Sequence, residues 1–176
     1  KILPEASNAE GLGLMHMLED RDELKPDPML RLMSMSARDE FALAGLAKRL
    51  KLSKAEKIRL LSWAGDRTPI APDMDDRVRK IAVYEASAQT LSDRALVRAA
   101  GTEDPLMSLR WTALAAFALE WEVPEFPLKG RDLKAAGITD GPKMGKTLEA
   151  LKALWVKSGF TATKERLLMA LVLINR

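Results

Sequence analysis

Aliphatic residues recur in this chain at spacings of three and four, and nowhere do they alternate with polar residues over the length of a strand. A period near 3.6 buries one face of a helix, whereas a half-buried strand needs a period of two. That pattern restricts the chain to helix packed on helix. Leu43, Leu46, Ala47 and Leu50 form one such stripe, and Leu106, Leu109, Ala113, Leu114 and Phe117 form a broader one. Leu12, Met15 and Leu18, then Leu30 and Met33, then Met74, Val78, Ile81 and Glu85, and finally Leu167, Leu168, Leu171 and Val172 mark further helix faces.

Start and stop signals divide the pattern into about ten helices. Ser7-x-x-Glu10 and Ser53-x-x-Glu56 read as capping boxes, in which hydroxyl and carboxylate satisfy each other's backbone amides. Asp27 before Pro28 and Asp104 before Pro105 read as N-caps, as do Asp73 and Ser92, while Ser36 precedes another helix. Gly65 and Gly101 read as ends, and the two prolines between Asp66 and Pro72 mark the clearest loop. Val123-Pro124 breaks the chain once more. The expected architecture is all-α with no sheet: a multi-helical body over residues 1–122 and a smaller helical tail over 123–176.

Residues 125–160 carry chemistry beyond a helical core. They read as a short helix, a turn and a longer helix, with Gly137 stopping the first and Pro142 in the opening turn of the second. At that opening, Gly141, Lys143 and Met144 are expected to leave amides without intrahelical acceptors, and Gly145 lacks a side chain that would hold another backbone away. Lys143 and Lys146 oppose the helix dipole by about 0.3–1 kcal/mol each. They gain a purpose if a phosphate is shared between ammonium groups and amides. Lys129, Arg131, Lys134, Lys143 and Lys146 place five positive charges in 18 residues, against Asp132 and Asp140. The net charge of the whole chain, +3, conceals this excess. A solvated, merely packed corner is the alternative on these residues alone.

The run Phe126-Pro-Leu-Lys-Gly-Arg-Asp-Leu, then Gly137-Ile138, Gly141-Pro-Lys-Met-Gly145, and a helix closing at Trp155 and Gly159-Phe160 resembles the C-terminal signature of bacterial CCA-adding tRNA nucleotidyltransferases and their poly(A) polymerase relatives. Ile2-Leu3-Pro4-Glu5 and Asp27-Pro28-x-Leu30-Arg31-Leu32 resemble the family's middle region less specifically. The resemblance implies that an N-terminal head, not among these residues, transfers CMP and AMP from CTP and ATP with Mg²⁺. The helical C-terminal portion would bind tRNA and present its acceptor end to that head, its partner in the full-length protein. Phosphate contacts would come from Lys129, Arg131, Gly141, Lys143, Met144 and Lys146. The C-terminal half of a poly(A) polymerase, a stand-alone helical interaction module and a helix-hairpin-helix nucleic-acid binder are the alternatives. Lys1 in place of Met suggests a piece of a longer protein or a processed product.

Catalytic chemistry within the chain itself is not expected, nor a metal or cofactor. His16 is the one histidine and there is no cysteine, which excludes thiolate chemistry and fits a reducing, cytoplasmic compartment. Asp20/Asp22 and Asp73/Asp75 imitate a metal-binding carboxylate pair but fall at a helix end and a helix start, so Asp20 and Asp22 read as solvated. The family's nucleotide-selecting Glu-Asp-x-x-Arg is missing: Glu19-Asp20 is followed by Glu23, and Glu103-Asp104 by Met107. Trp63, Trp111, Trp121 and Trp155 read as core rather than as base-stacking platforms. No run of about 18 apolar residues is available to span a membrane.

Overall fold

The computed structural model describes the backbone of residues 4–174 and side chains through Leu171. Ile2 and Leu3, and the side chain of Val172, lie outside the described residues. Ten helices follow one another among the described residues: α1 (Gly11–Arg21), α2 (Pro28–Met35), α3 (Glu40–Arg49), α4 (Lys54–Gly65), α5 (Asp76–Ala86), α6 (Ala88–Ala100), α7 (Pro105–Glu120), α8 (Gly130–Ala135), α9 (Gly141–Lys157) and α10 (Lys164–Ile174). Among the described residues there is no strand, only an isolated antiparallel bridge between Ala6 and Ser36. The chain is all-α, as its periodicity requires.

By contact the chain forms two compact units. The first comprises the residues up to Asp75 together with Ala82–Trp121; the second comprises Asp76–Ile81 and the residues from Glu122 onward.

The first unit buries Met15, Met33, Leu43, Leu60, Trp63 and Leu91 completely or nearly so. Its α6 and α7 form a helical hairpin faced with Ala95, Ala99, Ala115 and Ala118, all buried, whose small side chains allow close approach. Five expected helix signals hold. Asp27 accepts the amides of Met29 and Leu30, Ser53 and Glu56 complete their capping box, and Asp104 caps α7. Gly65 is the last residue of α4, and Gly101 the C-cap of α6.

Several local expectations are corrected. Ser7 does not cap α1; Asn8 accepts the amide of Gly11 instead, at 3.1 Å, and Leu12 is exposed. The helix expected after Asp73 begins at Asp76, and its buried residues are Ala82 and Val83 while Val78 is exposed. Ser92 is not a cap but is buried inside α6, which Ser87 opens with a positive φ of 75°. Asp39, not Ser36, caps α3, and Leu50 at its C-cap is exposed. On α7 the buried stripe is Ser108, Trp111, Leu114, Ala115 and Ala118, leaving Leu106 and Leu109 more than half exposed and Ala113 exposed. That helix is apolar nearly all round, so its own periodicity does not select the buried face; packing on α6 does.

A network of ion pairs ties four helices of the first unit together. Arg59 on α4 forks onto the carboxylate of Asp93 on α6, at 2.8 and 2.7 Å, and reaches Asp27 Oδ2 at 2.6 Å. Gln89 donates to Asp93 as well. Glu19 on α1, nearly fully buried, accepts both the Asp27 amide and the Arg31 guanidinium. The carboxylates of Asp93 and Asp27 hold the Arg59 guanidinium above its usual range despite burial. Asp22, read as solvated, is instead paired with Arg21 at 2.6 Å, which keeps its carboxyl below the usual range. Asp20 and His16 are exposed.

Candidate nucleic-acid interface

The second unit is closed by a core of Leu128, Leu133, Ile138, Leu151, Trp155, Ala162, Leu167 and Leu171. Its two glycine-aliphatic or glycine-aromatic pairs have one structural meaning. At the end of α8 the Gly137 amide donates to the Lys134 carbonyl and the Ile138 amide to the Leu133 carbonyl, at 3.0 and 2.9 Å, with Gly137 at φ 87°. At the end of α9 the Gly159 amide donates to Val156 and the Phe160 amide to Trp155, at 2.8 and 3.0 Å, with Gly159 at φ 70°. Both are Schellman closures, which satisfy the orphan carbonyls of the last turn and need a left-handed residue. Each adds the apolar contact that accompanies the motif. Leu133 and Ile138 are buried together, and the rings of Trp155 and Phe160 meet edge-on at 4.8 Å.

Asp132, in the first turn of α8, and Asp140, the N-cap of α9, satisfy amides at the two helix starts. Asp132 accepts the Lys129 amide at 2.7 Å and the Lys164 ammonium of α10 at 2.5 Å. These bonds, that to Lys164 foremost, hold its carboxyl below the usual carboxylate range. A depressed folded-state pKa contributes stability that is present above the ordinary value near 4 and is lost as pH falls through the depressed one. Thermal melts from pH 6 to pH 3 are therefore expected to show a smaller acid-dependent loss for Asp132→Asn than for the natural chain. Identical pH profiles would remove Asp132 from the account.

Asp140 corrects the expectation of free amides on α9. Its carboxylate accepts the Lys143 amide at 2.9 Å, and its carbonyl accepts the Met144 amide at 2.8 Å. The place that a helix start offers to an anion is thus taken by the chain's own carboxylate. Of the three amides expected to be available, that of Gly141 alone keeps no partner among the described residues. Asp140 was legible in the sequence as an N-cap, three residues before Lys143 and ahead of Pro142. The Met144 side chain packs inward, with its sulfur 3.3 Å from where a Cβ on Gly130 would stand.

That contact brings the first turn of α8 beside the first turn of α9. Lys129 and Arg131, exposed on either side of Gly130, thereby join Lys143 and Lys146, exposed on either side of Met144 and Gly145. Lys129 pairs with Glu125 at 3.0 Å. No carboxylate among the described residues lies within ion-pair distance of Arg131, Lys143 or Lys146. Lys134, Lys152 and Lys157 are exposed as well.

Gly145 does not meet another backbone of this chain: nothing lies within 4 Å of where its Cβ would stand. Gly145→Ala should therefore stabilise α9 by up to about 1 kcal/mol through helix propensity, measured by urea unfolding. A loss of stability would mean that the position is strained.

Trp63, Trp111 and Trp155 are buried, and half-buried Trp121 stacks on Phe117 with ring centroids 6.3 Å apart, so none of the four presents a free platform for a base. Among the described residues no group of three or more His, Cys, Asp or Glu could hold a metal ion, and no helix is long and apolar enough to cross a membrane.

No family model matches the chain. A stretch of 49 residues is similar to CCA tRNA nucleotidyltransferase 1, mitochondrial, of Mus musculus (41% identical) and of Homo sapiens (39%). A stretch of 51 residues is 39% identical to the protein of the same name from Danio rerio. These stretches cover 28–29% of this chain and only 11–12% of the relatives. Over that part of its length, the chain is related in sequence to CCA-adding tRNA nucleotidyltransferases.

Proposed function

We propose that this chain is the tRNA-binding portion of a CCA-adding nucleotidyltransferase, and that the joined first turns of α8 and α9 meet phosphates of the tRNA acceptor arm. The observation that carries the reading is the 39–41% identity to CCA tRNA nucleotidyltransferase 1. The exposed cations Arg131, Lys143 and Lys146, none of them ion-paired among the described residues, support it, with Lys129 beside them. Phosphate contacts of this kind set position and orientation without reading sequence. Their catalytic value is indirect: they spend binding energy on holding the 3′ hydroxyl where a separate head can use it with Mg²⁺, CTP and ATP. The same cations would serve the C-terminal part of a poly(A) polymerase with a different head. A reducing compartment such as the cytoplasm suits a chain without cysteine.

With Asp140 occupying the helix start, the lysine side chains rather than the amides carry the contact. Fluorescence anisotropy with labelled tRNA across a salt series tests this. Affinity should fall with salt by a log–log slope near 0.9 per neutralised phosphate on a duplex. Lys143→Ala with Lys146→Ala should weaken binding equally for different tRNAs and reduce the slope by about 1–2. Folding should be unharmed, because both cations oppose the helix dipole. An unchanged slope and affinity in the double variant would reduce the corner to a packing element.

A further inference from the structure

In the first unit, four arginines from three separate parts of the chain converge on the end of α4 and the loop after it. Arg38 donates to the carbonyls of Trp63 (3.0 Å) and Asp66, and Arg67 to those of Ala64 (2.5 Å) and Asp66 (3.2 Å). Arg94 donates to the Asp66 carboxylate and to the Thr68 carbonyl at 2.7 Å, and Arg98 to the Ile70 carbonyl at 3.3 Å. Part of this is explained by the helix end, whose carbonyls and dipole favour cations. The charge balance is not. Among the described residues Asp66 supplies the one carboxylate ion-paired to these four groups.

Two further observations show a surplus of donors held in fixed positions. Arg94 is 5% exposed, and its Nε is buried with no partner. Arg38 lies over the Trp63 ring at 5.7 Å and Arg98 over the Trp111 ring at 5.0 Å, which fixes both guanidinium planes. Burial, with Arg94 and Arg67 close by, holds the Arg38 guanidinium below its usual range; burial and Arg94 do the same to Arg98. Arg67 and Arg98 are exposed, and each donates through Nη1 alone, so Nε and Nη2 have no protein acceptor among the described residues. Rigid guanidinium forks in excess of carboxylate match the oxygens of a phosphate group.

We propose that Arg67 and Arg98, bonded to the loop at Asp66–Ile70 that Arg38 and Arg94 also hold, form a binding site for a phosphate group. The site is separate from the α8–α9 corner and does not depend on the tRNA reading. A nucleic-acid backbone and a free phosphate would present it with the same chemistry.

The test is broadening of the phosphorus resonance of inorganic phosphate by the full chain at constant ionic strength. Saturable broadening is expected. Arg67→Ala with Arg98→Ala, checked for intact helix by circular dichroism, should weaken binding by about tenfold or more, since two charge-assisted contacts are lost. Lys54→Ala with Lys57→Ala, two exposed cations outside both sites, should leave it unchanged. Absence of saturable binding, or equal binding by the arginine variant, would overturn the proposal. Anisotropy with labelled tRNA then assigns the source. A loss of affinity in the arginine variant marks a backbone phosphate, and unchanged tRNA affinity alongside lost phosphate binding marks a free one.

Discussion

Asp93→Ala should destabilise the first unit by about 3 kcal/mol, the low end of the range for breaking a buried ion pair. Asp93 is fully buried and receives both Nε and Nη2 of Arg59. Removing the carboxylate leaves a largely buried guanidinium facing Asp27 alone, and leaves Gln89 without its acceptor. The remaining Asp27 contact places the expected loss at the lower end. Replacing both partners, as Arg59→Met with Asp93→Leu, should cost less than the single change, because no buried charge is stranded. Urea unfolding of the three variants provides the measurement. A single-variant loss below about 0.5 kcal/mol, the size of an ordinary surface substitution, would mean that the network orders the helices without stabilising them.

Gly159→Ala should cost the second unit about 2 kcal/mol, and Gly159→Val more. One component is conformational: φ is 70°, where a Cβ costs roughly 1–2 kcal/mol. The other is steric. A Cβ there would stand 2.8 Å from Cγ of Arg77 and 3.3 Å from its Cβ, and Arg77 is held by its bond to the Lys157 carbonyl at 2.9 Å. Arg77→Ala should therefore recover part of the loss in the double variant but not the conformational part. Hydrogen exchange at the last turn of α9 localises the effect. If Gly159→Ala melts as the natural chain does and its α9 amides remain equally protected, the closure does not limit the stability of that unit.

Both predictions depend on features of different legibility. The Schellman closures at Gly137-Ile138 and Gly159-Phe160 are local: a glycine one residue past the C-cap, followed by an apolar residue that returns to the helix. They were visible in the sequence as a family-like motif, and their hydrogen bonds give the motif a folding role. The Arg59–Asp93 fork joins residues 34 apart, and Arg94 reaches Asp66 over 28. No spacing rule connects such residues.

What the sequence determined by itself was the kind of structure and most of its punctuation. Periodicity near 3.6 with no alternation makes an all-helical chain, and caps such as Asp27, Ser53 and Asp104 act within three residues, so local chemistry suffices to place them. Where two polar residues competed for one helix start, as Ser7 with Asn8 or Ser87 with Ser92, the choice lay with the packing around them. The same holds for α7, whose apolar surface runs almost all round and whose buried side is decided by α6. At the α8–α9 corner the lysines could be read directly, but whether the amides beside them were free depended on where the Asp140 side chain turned. Arg38, Arg94 and Arg98 were brought to the loop of Asp66 and Arg67 by tertiary structure. Electrostatic neighbours are set by distance in space, and for residues on different helices only the packed fold supplies that distance.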